Sequence, residues 1–86
     1  MNLGTQITES IDLFSVPKSK EEINENIKKY GIKCVPKVSP EGQAYSEISG
    51  TYAGMVCFLS EILDKRVVEV MISIGSERFW YYGDKF

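Results

Sequence analysis

The stretch SKEEINENIKKYGIKCVPKV, residues 19–38, holds a helix start, a helix stop and the beginning of a strand. Ser19 and Glu22 form a Ser-x-x-Glu capping box, in which the hydroxyl accepts from the Glu22 amide and the Glu22 carboxylate reaches back. Ile23, Ile27 and Tyr30 recur at helical spacing. Glu21, Glu22 and Glu25 lie toward the positive end of the helix dipole, Lys28 and Lys29 toward the negative end. Gly31 can take the left-handed conformation that ends a helix, with Ile32 placed for the accompanying apolar contact. The spacing therefore predicts a helix over residues 20–30. Beyond it, Ile32, Cys34 and Val38 alternate with Lys33, Val35 and Lys37, the pattern of a strand. Pro36 has no amide hydrogen, so that strand should lie at an edge or carry a bulge.

Working outward, Ser39-Pro40-Glu41-Gly42 has proline and glycine where a β-turn wants them, and residues 43–48 can return as the hairpin partner. Ser49-Gly50-Thr51 offers a helix cap. Tyr52, Met55, Val56, Leu59, Ile62 and Leu63 then follow helical spacing, while Ala53, Gly54 and Cys57 allow close backbone approach. This second helix, over residues 51–63, is apolar round most of its girth and should be the most buried element. Residues 67–74 are rich in β-branched side chains and precede Gly75-Ser76, which suits a type II′ turn into residues 77–82. Such a hairpin sets Ile72 against Phe79, Val70 against Tyr81, Met71 against Trp80 and Glu69 against Tyr82.

Residues 7–16 read two ways. Leu3, Ile7, Ile11 and Phe14 fit a helix face, yet the β-branched content of 7–16 and the alternation at Ile11 and Leu13 fit a strand. A strand gives β-α-β-β-α-β with one extra C-terminal strand, the ferredoxin-like split arrangement. A helix gives α-α-β-β-α-β-β. The strand is preferred because a βαβ unit explains why Ser19 follows so closely on Val16-Pro17. Either way the fold expected is a single α+β domain over residues 1–86, a small antiparallel sheet packed on two helices.

Composition narrows function. The chain has 86 residues, 43% hydrophobic and 26% charged, as ordinary globular chains do. A net charge of −2 gives no field to recruit nucleic acid or an anionic membrane. With no histidine, the commonest metal ligand and neutral-pH proton shuttle are missing. No metal, cofactor or catalytic residue is expected. The first residues carry no basic and apolar signal pattern, and the longest apolar run, residues 55–59, is far short of the roughly 20 that span a bilayer. Cys34 and Cys57 lack CxxC pairing and read as buried thiols of a cytoplasmic protein.

Glu21, Glu22 and Glu25 read as a solvated helix face. Residues 50–54, at a helix start, lack both the Walker and the GxGxxG spacing. Cys34 and Cys57 lack an activating base. What rises above background is the sheet face turned away from the helices. There Val35, Tyr45, Met71, Trp80 and Tyr82 should meet among Lys33, Lys37, Glu69 and Arg78, as in an interface core with a charged rim. Partner binding through Val35, Tyr45, Met71, Arg78, Trp80 and Tyr82 is the leading expectation, with homodimerisation or cover by the N-terminal segment as alternatives. Base stacking on these aromatics is less favoured, because the RNP pattern is missing. A small-molecule regulatory domain is the runner-up, by analogy with ferredoxin-like amino-acid-binding domains of the ACT family. In composition the chain resembles small, acidic, histidine-free inhibitors of the toxin-neutralising and phage-encoded kind, which implies a non-catalytic inhibitor or accessory protein.

Overall fold

A computed structural model describes residues 2–74 of the chain. In order these form β1 (Gln6–Ile11), a single 3-10 turn (Leu13–Ser15), α1 (Lys20–Lys29), β2 (Lys33–Val38), β3 (Ala44–Thr51), α2 (Tyr52–Leu63) and α3 (Val67–Ser73). The sheet runs β1-β3-β2, with both neighbouring pairs antiparallel. Its two outer strands therefore run parallel to each other, joined through α1, with β3 between them. This is a split β-α-β unit in an α+β domain.

The strand reading of the N-terminal segment holds for Gln6–Ile11, where Ile11 is buried and Ile7 packs on the core. The strand stops because the Asp12 side chain accepts from the Phe14 amide at 3.0 Å and the Ser15 hydroxyl at 2.8 Å, curling the chain into the 3-10 turn. Among the described strands β2 lies at the sheet edge, one of the two places Pro36 allows.

Helix α1 starts at Ser19, whose hydroxyl accepts from the Glu22 amide at 3.2 Å. It stops in a Schellman arrangement: the Ile32 amide donates to the Ile27 carbonyl at 2.9 Å and the Gly31 amide to Lys28 at 3.4 Å, with Gly31 at φ +64°. Ser19→Ala should cost about 1 kcal/mol, read as a lower urea midpoint at unchanged slope. An unmoved midpoint would count against the cap. Between β2 and β3 the Gly42 amide donates to the Ser39 carbonyl, and the buried Ser39 hydroxyl accepts from the Gln43 amide at 3.1 Å. Gly42 sits at φ +85°, where a side chain is strained.

Helix α2 is the core. Tyr52, Met55, Val56, Phe58, Leu59 and Ile62 are buried and join Ile11, Ile23, Ile32, Ile48 and Val70 in one cluster. Phe58, missing from the apolar positions selected by spacing, is among the most buried side chains.

The expected strand over residues 67–74 is not formed: Val67–Ser73 is helix α3. Alternation would have buried Val70 and Ile72 together, yet Val70 is 0% exposed and Ile72 78%. The inward residues are instead Val70 and Ile74, four apart, at the helical period. Arg66 Nε donates to Glu69 Oε1 at 3.0 Å across the first turn, and α3 packs on α2. Burial of Val70 against the core has overridden the β propensity of the valines and isoleucines. The strand partners proposed for this segment, residues 77–82, lie outside the described residues, and so does the Gly75-Ser76 turn. The fourth core strand of a ferredoxin-like sheet is thus not supplied by residues 67–73.

Candidate functional site

The ladder assigns the two sheet faces. Ile11, Ile48 and Cys34 look toward the helices. Rows Thr8, Ser49, Lys33 and Ser10, Glu47, Val35, followed by the pair Tyr45 and Lys37, look away. Val35 and Tyr45 therefore share the outer face with Lys33 and Lys37, as expected. Met71 does not belong to it: it sits on α3, so no cross-strand pairing sets it beside Trp80. Arg78, Trp80 and Tyr82 lie outside the described residues. Among those described, the outer face carries hydroxyls and charges around Val35 and Tyr45, and is far more polar than the aromatic patch expected.

Met71 instead belongs to a different surface. Val67, Val68, Met71 and Ile72 follow one another at i, i+1, i+4 and i+5, which puts them along one side of α3. They are 48, 50, 45 and 78% exposed. That spacing is legible in the sequence once it is read at the helical period rather than at the strand period. A second feature missed by sequence reasoning is Phe14, 90% exposed on the 3-10 turn. It walls a half-open groove of about 330 Å³ lined by Leu13, Phe14, Lys18, Lys20, Ile23 and Ser46.

Lys18 reaches across to Asp64 at the end of α2, 2.9 Å away. The hydrogen bond to Asp64 raises the Lys18 pKa above the usual lysine value, with its charge and those of Glu22 and Glu61 adding to the effect and partial desolvation opposing it. A raised lysine pKa means this contact is in place at neutral pH and fades only as pH climbs through that raised value.

The glycine-rich start of α2 has no donors to spare for an anion. The Tyr52 amide donates to the Thr5 carbonyl at 2.8 Å, Ala53 to Leu3 at 3.0 Å, and Gly54 to the Thr51 hydroxyl at 3.1 Å. The segment before β1 thus caps α2, and these amides are not left over to cradle a phosphate. Cys34 and Cys57 are free thiols, half-buried rather than fully buried. Among the described residues no cluster of three His, Cys, Asp or Glu could hold a metal, and no helix is long and apolar enough to cross a membrane.

Fold and surface together define a small α+β domain with one polar sheet face and one exposed apolar helix face. No family model, curated protein or solved structure matches the chain.

Proposed function

We propose that the chain is a non-catalytic protein-binding module, an inhibitor or accessory protein. The observation that carries this reading is the α3 face, where Val67, Val68, Met71 and Ile72 stand at 45–78% exposure side by side. Leaving four large apolar side chains in water costs free energy that contact with a partner would recover, and such patches commonly mark interaction surfaces. α3 has only 7 residues, so a stable interface of about 1,200 Å² or more must extend beyond it. Arg78, Trp80 and Tyr82, which follow α3 in the chain, are the residues proposed to extend it, while Val35 and Tyr45, on the sheet face turned away from the helices, are proposed as a separate contact. Homodimerisation is one form this binding takes, and a cytoplasmic location suits the two free thiols.

The test is a Val68→Asp, Ile72→Asp double variant. Both side chains are at least half exposed, so the fold should persist with a thermal midpoint within a few degrees of wild type. Sedimentation equilibrium should show weaker self-association, or affinity capture from host extract should lose a partner retained by the wild type. Unchanged association and capture in a folded variant would remove α3 as the binding surface.

A further inference from the structure

We infer that the groove beside Phe14 is a binding site for a small apolar carboxylate, such as an aryl-alkanoate or a short branched-chain acid. It is independent of the α3 face.

The groove lies where three separate parts of the chain converge. The 3-10 turn contributes Leu13 and Phe14, the start of α1 contributes Lys20 and Ile23, and the start of β3 contributes Ser46. Leu13 and Ile23 belong to or pack on the core, so the apolar wall is anchored. Asp12 holds the turn by its two hydrogen bonds, which fixes the Phe14 backbone although the ring is 90% exposed. At about 330 Å³ the space is near the lower end of the ~300–1,000 Å³ typical of ligand pockets, so the ligand is small.

The polar groups choose its charge. No carboxylate side chain appears among the described residues lining the groove. Lys18 lines it too, but its ammonium is held by Asp64 at 2.9 Å and brings little uncompensated charge. The side chains of Lys20 and Ser46 have no hydrogen-bond or ion-pair partner among the described residues. An apolar wall with one uncompensated ammonium and one unengaged hydroxyl fits an apolar body ending in a carboxylate, which accepts from both. A neutral ligand would leave the ammonium unused, and a polyanion would meet only one uncompensated cation among the described residues.

The test is a ¹H-¹⁵N titration of the full chain with 4-phenylbutyrate, and separately with 4-phenylbutan-1-ol, which keeps the ring and loses the carboxylate. Phenylbutyrate should bind saturably and shift the amides of Leu13, Phe14, Lys20 and Ser46. The alcohol, and phenylbutyrate on Lys20→Gln, should each bind about fivefold more weakly, the scale of one exposed ion pair. Phe14→Ala should weaken phenylbutyrate while leaving the thermal midpoint unchanged, because that ring touches water on most sides. Linear, unsaturated shifts would overturn the proposal. So would shifts centred on α3, equal affinity for acid and alcohol, or indifference to both substitutions. Apart from shifts centred on α3, none of those results bears on the α3 face, which is tested by association instead.

Discussion

Phe58→Ala is expected to remove about 3–5 kcal/mol of stability, the range for deleting a buried ring. Phe58 is 0% exposed, in the centre of a helix that packs against α1, β1, β3 and α3. A chain of 86 residues has roughly 4–13 kcal/mol in total, by the usual 0.05–0.15 kcal/mol per residue. At the lower end of that range one truncation is enough to unfold much of the population. Phe58→Leu keeps most of the volume and should cost about half as much, so the pair separates loss of packing from loss of the fold. Urea melts of the three proteins check this. A Phe58→Ala midpoint near that of wild type would mean the ring does not lie in the core.

Why was Phe58 missed when its neighbours were found? Tyr52, Met55, Val56, Leu59 and Ile62 stand out because an apolar stripe of ordinary width contains them, and all are buried. Phe58 lies on the flank of that stripe, and its burial depends on α2 being enclosed by several elements at once. The apolar girth of residues 51–63 signals that enclosure for the helix as a whole, but a stripe drawn by spacing leaves out the flank position. The legible parts were those where chemistry is local. Ser19, Gly31 and Ile32 set the limits of α1 through their own hydrogen bonds, and Ser39 to Gly42 set the hairpin turn. Pro36 marked β2 as an edge or bulged strand, and among the described strands it lies at the edge.

Residues 67–74 went the other way because β-branched content and a following Gly-Ser pair are propensity arguments, and packing outweighs propensity. The arrangement VVEVMI satisfies two periods at once. At period two it buries Val70 with Ile72; at the helical period it buries Val70 with Ile74 and leaves Val67, Val68, Met71 and Ile72 outside. The consequence reaches the site, because Met71 joins the sheet face only through a pairing that needs a strand. Val35 and Tyr45, whose placement rests on the well-marked β2–β3 hairpin, came out on the expected face.

Gly54→Ala should destabilise the protein although the same exchange in an open helix stabilises it by about 1 kcal/mol. A Cβ at Gly54 would stand 2.8 Å from the Tyr30 carbonyl oxygen and 3.0 Å from the Thr51 hydroxyl. Real Cβ contacts essentially never come as close as the first of these, and that atom is backbone, held by the stop signal that ends α1. Relief requires α1 and α2 to separate, or Thr51 to release the Gly54 amide it caps at 3.1 Å. Overpacking of this kind costs about 1–3 kcal/mol, so after the helix-propensity gain the net loss for alanine is up to about 2 kcal/mol. Gly54→Val gains less propensity and adds two methyl groups at the same contact, so its loss should reach about 3 kcal/mol. A second substitution tells the mechanism apart from a side-chain clash. Tyr30→Ala removes the ring but leaves the carbonyl in place, so it should not rescue Gly54→Ala, and the two midpoint shifts should add. Rescue would put the obstruction in the Tyr30 ring, and a stabilised Gly54→Ala would mean that α1 and α2 do not approach there at all.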